Sequence, residues 1–408
     1  MKLSTPKVPL RSQSSDRDNP GGFAHIPALD GIRGLAILLV LFDHLFWANG
    51  YTGNRMFDFI SRLRDSSYVG VDLFFALSGF LITGILLDSL GTPHYFKTFY
   101  IRRSLRIFPL YYGFLFSLFC LTPFMHFEWH GLQYFFLTYT ANIADRWIHA
   151  PLQMGSLNIN HFWSLQVEEQ FYWIWPLVVY RFRNARTLIS LSLTGCGAAL
   201  ISRIVCVLMS HHSGFFGDPY LPYSFTPCCA DRILFGACLA VLVRSQYRDL
   251  ILKFAPYFFS VSVAVLLIIG FLNHGLDWLL PTKYAYLTAT AGFSLIGIAS
   301  ASTVALALRP ASTTTHLFES RILRFFGKYS YGIYVFHFSI AGLMGPLRSY
   351  FDAVLHVKAL SVLFGAVIAG GLSVAVACLS YHAYEAPFLR LKRFFRYGQR
   401  TSFSASGR

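Results

Sequence analysis

A series of long apolar runs, recurring from residue 31 to residue 383, constrains this chain more than any other feature. Each run is long enough to cross the ~30 Å hydrocarbon core of a bilayer as an α-helix, which takes about 20 residues. The ten runs cover residues 31–50, 69–89, 105–125, 161–180, 187–209, 225–243, 254–272, 284–308, 329–346 and 359–383. The pattern predicts an all-α, polytopic integral membrane bundle of about ten transmembrane helices.

The composition agrees with this fold class. The chain is 55% hydrophobic and 13% charged, and its mean hydropathy is +0.49. A soluble globular domain does not need so much apolar surface, and continuous rather than alternating apolar runs exclude an outer-membrane barrel. The net charge of +15 comes from basic residues in the short loops between runs, so we expect membrane lipids as partners and no nucleic acid.

The placement of the basic residues predicts the orientation. With a cytoplasmic N-terminus, 25 of the 34 Lys and Arg residues fall on the cytoplasmic side and seven on the other side. The positive-inside rule therefore predicts that both termini are cytoplasmic. Residues 1–25 are polar, contain no apolar core typical of a signal peptide, and are expected to form a disordered tail. Residues 26–390 form the predicted membrane domain, and residues 391–408 a basic cytoplasmic tail.

The polar and aromatic segment 126–160 separates two of the runs. Its apolar part is too short to span comfortably, so we expect one re-entrant or interfacial helix there rather than an eleventh crossing. The seven cysteines lie within or beside apolar runs and show no metal-ligand spacing and no disulfide framework. We interpret them as buried thiols, and we expect no metal.

Arg33 and His44 are the most informative polar pair, because both lie in one apolar run, eleven positions apart. At about 100° per residue the two side chains leave the same face of a helix, roughly 16 Å apart along its axis. Ionisable groups inside a membrane usually mark a functional site. An arginine that snorkels to the interface, with a histidine satisfied inside the bundle, is the structural alternative.

Two adjacent carboxylates, Glu168 and Glu169, interrupt another run. They cannot both face lipid, so we expect them either in a polar reaction chamber or in ion pairs with Arg203 and Arg232 of later runs. His161 stands at the outer boundary of the same run.

Further polar groups extend the candidate site. Ser78 lies midway along the second run, where close helix packing is an alternative role for the small residues. Tyr331, Tyr334 and His337 recur at intervals of three and share one broad helix face. Three arginines near the start of another run, in a position that also suits a positive-inside anchor, can clamp phosphates through bidentate hydrogen bonds: Arg102, Arg103 and Arg106.

Taken together, these segments resemble the membrane-bound acyltransferase-3 family of bacterial O-acetylases. Arg33 and His44 stand at the ends of its Arg, ten residues, His signature. Further family blocks are matched in order by FFALSGFLIT (74–83), RRSLRIFPLYY (102–112), HFWSLQVEEQFYWIWP (161–176), KYSYGIYVFHF (328–338) and YHAYEAPF (381–388). The chain departs from the family at Cys229, where many members have an arginine, which leaves Asp231 to pair elsewhere, for instance with Arg203.

The resemblance implies transfer of an acyl group, usually acetyl, from cytoplasmic acyl-CoA to a sugar hydroxyl of an envelope polysaccharide, a glycolipid or a glycosylated metabolite. It implies a bacterial inner-membrane location and essential roles for Arg33 and His44. Combined with the residue analysis, it gives three predicted groups of site residues. Predicted catalytic residues are His44, Glu168 and His337; donor-binding residues are Arg33, Arg102, Arg103 and Arg106; substrate-binding residues are Ser78, His161, Trp163, Glu169 and Tyr331.

The residues leave two questions open. His44 either removes the acceptor's proton in direct transfer or is itself acylated and relays the group. A polytopic transporter or flippase of a lipid-linked or sugar substrate is the alternative class, although the chain shows no internal repeat of the kind common in transporters.

Overall fold

In this computed structural model the described residues are 25–46, 55–125, 129, 131–148, 153–154, 157–210, 217–273, 275–277, 279, 283–310 and 312–397. Of the two predicted tails, only His25 and residues 391–397 belong to these. The other tail residues, and the predictions made for them, lie outside the described residues.

The described residues are mainly helical. Before residue 225 the helices are α1 Pro27–Leu45, α2 Arg55–Asp65, α3 Val69–Asp88, α4 Tyr95–Met125, α5 Leu132–Leu137, α6 Ala141–Ile148, α7 Trp163–Phe182, α8 Ala185–Met209 and α9 Leu221–Ser224. After it they are α10 Thr226–Leu242, α11 Arg248–Leu272, α12 Lys283–Leu287, α13 Phe293–Ala307, α14 Thr313–Phe318, α15 Arg321–Leu343, α16 Gly345–Leu355, α17 Lys358–Ser380 and α18 Ala386–Arg390. Two short strands, β1 Gln153–Met154 and β2 Leu157–Asn158, pair antiparallel.

The structure confirms the all-α membrane bundle. Among the described residues, seven helical segments are long and apolar enough to cross a membrane. These are Phe59–Asp88, Tyr95–Phe124, Ala185–Met209, Leu221–Leu242, Arg248–Leu272, Tyr284–Ala307 and Lys358–Phe394. The other three predicted spans correspond to α1, α7 and α15, which have 19, 20 and 23 residues. These three carry several of the charged and polar residues predicted for the site, among them Arg33, Glu168 and His337. That they also cross stays a prediction.

Segment 126–160 contains no helix long enough to cross a membrane in its described part. Instead of the one interfacial helix expected, it forms α5 and α6, of six and eight residues. The break lies at Tyr139, whose φ of 53° places it in the left-handed region. The side chain of Gln170 holds this turn by donating to the Tyr139 carbonyl at 2.7 Å.

Glycines bring the central helices into backbone contact. Where α1 crosses α15, a Cβ on Gly34 would overlap the carbonyl of Leu323. Where α3 crosses α10, a Cβ on Gly79 would overlap the carbonyl of Ile233, and one on Gly236 that of Ala76. Small residues allow the close approach on which packing between membrane helices depends. These crossings fix the positions of α1, α3 and α15.

Two ion pairs lie fully buried beside this core. Arg203 of α8 makes two hydrogen bonds to Asp231, at 2.7 and 2.9 Å, and Arg232 of α10 donates to Asp72 at 2.7 Å. The expectation that Asp231 pairs with Arg203 is confirmed.

The expectation that Glu168 and Glu169 could pair with Arg203 and Arg232 is wrong. Each of these guanidiniums already has an aspartate on a helix that packs against its own. The two glutamates are therefore left for another role.

The cysteines correct one further expectation. All seven are free, but Cys120 is exposed and Cys378 is half-buried, so the prediction of buried thiols holds only for the other five. At the departure from the family pattern, the Cys229 thiol lies 3.2 Å from the Phe225 carbonyl oxygen.

Candidate active site

Five helices, α1, α3, α4, α7 and α15, line a chamber of about 830 Å³, a volume that includes its opening to solvent. Its apolar wall comes mainly from α3, while the other helices contribute most of the polar groups. The polar lining consists of three guanidiniums, two carboxylates and six hydroxyls: Arg33, Arg103, Arg106, Glu168, Glu169, Ser78, Ser164, Ser330, Tyr172, Tyr331 and Tyr334.

A hydrogen-bonded carboxylate lies in the middle of the chamber. The Ser78 hydroxyl donates to one oxygen of Glu168 at 2.7 Å, and the Tyr172 hydroxyl donates to the other at 3.1 Å. Ser164, Glu168 and Tyr172 follow each other at intervals of four, which puts them on one face of α7. Glu169 is buried beside them, and its Oε1 has no hydrogen-bond partner among the described residues.

The arginines gather at one end of the chamber. Arg33 donates to Asp30 at 2.6 Å, and the Arg103 guanidinium lies 5.6 Å from the centre of the Tyr172 ring. Among the described residues, no carboxylate lies within 4.0 Å of Arg103 or Arg106. We call this end, formed by Arg33, Arg103 and Arg106, the cationic mouth. The guanidiniums of Arg103 and Arg106 are available to bind an anionic ligand.

Tyr334 and Ser164 close the opposite end. The Tyr334 hydroxyl donates to the His161 carbonyl at 2.8 Å, and the Ser164 hydroxyl lies 2.5 Å from the Tyr334 oxygen. We call this hydrogen-bonded pair the hydroxyl wall. Three histidines follow beyond it, and none of them lines the chamber: His44, His161 and His337.

The geometry fixes the protonation of two of these histidines. Nδ1 of His337 lies 2.8 Å from the Tyr334 carbonyl oxygen, which only accepts, so Nδ1 carries a hydrogen. In neutral His337 the Nε2 atom is then an acceptor, and Nδ1 of His44, 2.9 Å away, donates to it. This leaves Nε2 of His44 with a free lone pair, 3.6 Å from a carboxylate oxygen of Asp43.

His161 completes the cluster. Its ring centre lies 5.0 Å from that of His337 and 5.3 Å from that of Phe338, which also contacts His44 at 4.4 Å. The side chain is buried, and neither ring nitrogen has a hydrogen-bond partner of good geometry among the described residues. An unpaired buried imidazole is costly, which is typical of a site that a substrate completes.

Ten of the twelve predicted site residues lie at these two places. The chamber is lined by Arg33, Ser78, Arg103, Arg106, Glu168, Glu169 and Tyr331, and the histidine cluster holds the other three. The remaining two lie elsewhere. Trp163 packs against Tyr223 with ring centres 4.7 Å apart, and Arg102 donates to backbone carbonyls of the C-terminal segment.

Ser164, Tyr172 and Ser330 of the lining were not predicted from the sequence. The intervals of four that join Ser164 and Tyr172 to Glu168 were a usable signal. Tyr334 was predicted only as part of a helix face, and the hydroxyl wall was not anticipated, because its contact joins residues 170 positions apart.

A bundle of apolar helices around a buried chamber, with arginines at one end and a histidine pair beyond the other, defines an integral-membrane protein with an internal polar site. A family model described as an acyltransferase domain matches residues 26–382. The chain belongs to this acyltransferase-3 family, as the sequence motifs predicted.

Two curated relatives match most of the chain. "Putative peptidoglycan O-acetyltransferase YrhL" of Bacillus subtilis is 28% identical over 397 residues, covering 92% of this chain and 56% of the relative. Peptidoglycan O-acetyltransferase OatA of Listeria monocytogenes is 27% identical over 399 residues, covering 91% and 57%. The chain thus spans a little over half the length of these relatives. No solved structure matches it significantly.

Proposed function

We propose that this protein is a membrane-embedded acyltransferase that moves an acyl group, in the simplest case acetyl, from acyl-CoA to a hydroxyl of a cell-envelope sugar. The observation that carries the proposal is the chamber that runs from three arginines to the hydroxyl wall in front of the His44–His337 pair. Family membership favours this enzyme class over the transporter alternative, and peptidoglycan in the names of both relatives supports an envelope glycan as acceptor.

The donor enters at the cationic mouth. Arg33, Arg103 and Arg106 can hold its phosphates by charge-assisted hydrogen bonds, for which guanidinium geometry is well suited. Basic residues concentrate on the cytoplasmic side, so the mouth faces the cytoplasm, where acyl-CoA is present. The slender pantetheine arm extends along the chamber past Glu168 and brings the thioester towards the hydroxyl wall.

The acceptor hydroxyl reaches the histidine cluster from the other side of the membrane. Transfer then requires the Tyr334–Ser164 contact to open, so that the thioester and the hydroxyl meet next to His44. The free lone pair on Nε2 of His44 takes the hydroxyl proton while the hydroxyl oxygen forms a C–O bond to the acyl carbon. The C–S bond breaks, and the CoA thiolate leaves and takes up the proton from the His44 imidazolium, which restores the neutral base.

Neighbouring groups support this base. His337 accepts the His44 Nδ1 hydrogen and so holds the ring in the tautomer that has a basic Nε2. Asp43 lies close enough to stabilise the imidazolium that forms. His161, with two unsatisfied nitrogens, and Glu169 are the groups we assign to hydrogen bonding with substrate. An acyl-His44 relay uses the same Nε2 atom as nucleophile.

The test is transfer of labelled acetyl from acetyl-CoA to a soluble peptidoglycan fragment by the purified protein in nanodiscs. We expect His44→Ala to lower the rate by at least ~100-fold, the scale of general-base catalysis. The matched control is His316→Ala, an exposed histidine of α14 outside the chamber and the cluster. Equal activity of the His44 variant and the wild type would refute the role of His44. No transfer from acetyl-CoA by the wild type to any envelope glycan would refute the proposed function.

A further inference from the structure

Beyond α18, the chain packs against α4, the helix that also carries Arg103 and Arg106 of the mouth. Residues Leu391–Phe394 form a 3-10 turn, and Arg102 of α4 donates from one nitrogen to the carbonyls of Lys392, at 3.0 Å, and Phe395, at 2.9 Å. The same guanidinium lies 5.7 Å from the centre of the Tyr397 ring. Arg102 thereby fixes a segment almost 300 positions away, which we call the C-terminal strap, residues 391–397.

The strap brings a further cation, Lys392, close to the arginines of α1 and α4. Lys392 is half-buried, and the charged groups that act on it most strongly are Arg106, Arg103, Arg102 and Arg33. Among the described residues, the only carboxylate within 4.0 Å of any of these five cations is Asp30, which pairs with Arg33. Like charges repel strongly away from water, so these five cations need an opposing negative charge of several units. Among the described residues, Asp30 supplies only one unit of it.

We propose that the strap is part of the donor site, with Lys392 as a further ligand for its phosphate groups. This assignment rests on the proposed function, and the chemistry required is that of a nucleotide carrying a diphosphate and an additional phosphate. Arg102 contributes by positioning: it holds Lys392 over the mouth through backbone carbonyls. The family match ends at residue 382, so the assignment comes from the contacts of this chain alone.

The arrangement also explains why Arg102 differs from its neighbours. Its guanidinium donates hydrogen bonds to the strap, whereas Arg103 and Arg106 line the chamber and have no carboxylate within 4.0 Å in the described part of the chain. The three arginines of this segment thus divide into one that holds the strap and two that line the chamber.

The experiment measures the Kd of coenzyme A for the full chain in nanodiscs by calorimetry at two salt concentrations. We expect Lys392→Met to raise Kd about 10-fold and to reduce its salt dependence, because one phosphate contact is lost. Arg102→Ala should raise Kd similarly by releasing the strap, and Lys392→Arg should bind like the wild type. Arg393→Met is the matched control: the neighbouring cation is exposed, lies over the Phe394 ring, and should leave Kd within twofold.

The outcomes separate the two proposals. If Lys392→Met binds coenzyme A as the wild type does while Arg103→Met binds more weakly, the strap proposal is overturned and the donor site stands. ADP is the second probe. If the wild type binds ADP but not coenzyme A, and Lys392→Met weakens ADP binding, the strap site stands and the donor is misassigned. Binding of neither ligand by the wild type overturns both proposals.

Discussion

A single hydrogen-bond acceptor on His337 decides which nitrogen of His44 is basic. We expect His337→Phe, which removes that acceptor, to lower kcat of acyl transfer about 100-fold and to leave KM for acyl-CoA unchanged, because the donor site lies beyond the hydroxyl wall. His337→Gln should restore part of kcat, since its amide can both donate to the Tyr334 carbonyl and accept from His44. Steady-state kinetics check this. A change in KM without a change in kcat would contradict the positioning role.

Substitution of Glu168 tests the role of the carboxylate in the middle of the chamber. Glu168→Gln keeps the size of the side chain and removes its charge, and we expect transfer to fall at least ~10-fold. Ser78→Ala and Tyr172→Phe each remove one donor to the carboxylate and should have smaller effects. Glu319→Gln, on an exposed glutamate after α14, serves as the control. Full activity of Glu168→Gln in the transfer assay would remove this residue from the mechanism.

For individual residues, the sequence predicted which side chains belong to the site better than it predicted which residues they contact. The spacing of Arg33 and His44 correctly gave one helix, but only Arg33 lines the chamber. Helical periodicity relates residues within one element and carries no information about partners on another. The partners of Arg102 are backbone carbonyls of the strap, which no side-chain pattern reveals.

Among the elements, the crossing of α3 with α10 depends on glycine. We expect Gly79→Ala to lower the free energy of unfolding by roughly 1–3 kcal/mol, because the added methyl group overlaps the Ile233 carbonyl and the helices must separate. Gly197→Ala in α8 meets no atom within 4 Å and should be neutral or slightly stabilising. Thermal unfolding in detergent compares the two variants. Equal melting temperatures would show that the crossing is not tightly packed.

The same two helices share the Asp72–Arg232 ion pair. Asp72→Ala leaves the buried Arg232 guanidinium without its carboxylate, and we expect the free energy of unfolding to fall by about 3–5 kcal/mol. Asp72→Leu combined with Arg232→Met removes both charges and should recover most of that loss. Chemical denaturation of the purified variants measures these free energies of unfolding. If the double variant is as unstable as the single one, packing rather than charge explains the effect.

Helices were the most predictable elements, because an apolar run of about 20 residues has few other stable states in lipid. All ten predicted runs correspond to long helices of the structure. The segment around Tyr139 was harder: its left-handed turn is held by Gln170 of another helix, so the local sequence of 126–160 does not specify two short helices.

For the whole molecule, the distribution of Lys and Arg predicts an orientation that fusions can check. A periplasmic-type alkaline phosphatase inserted within α16, which is predicted to lie on the outer side because it follows α15, should be active. A fluorescent protein fused after residue 397 should fold and fluoresce, because it stays in the cytoplasm. The reverse pattern of signals would place the arginine mouth on the outside and exclude cytoplasmic acyl-CoA as donor.

The hydroxyl wall lies between the chamber and the histidine cluster, where it separates the two. A water-filled route from the arginine mouth to the histidines would let protons flow down the electrochemical gradient, and three titratable imidazoles in a row would speed that flow. Tyr334 and Ser164, bonded to each other and to the His161 carbonyl, interrupt the route with ordered protein groups. On the proposed orientation, we therefore expect the hydroxyl wall to keep the water of the donor side apart from the histidine cluster in the intervals between turnovers.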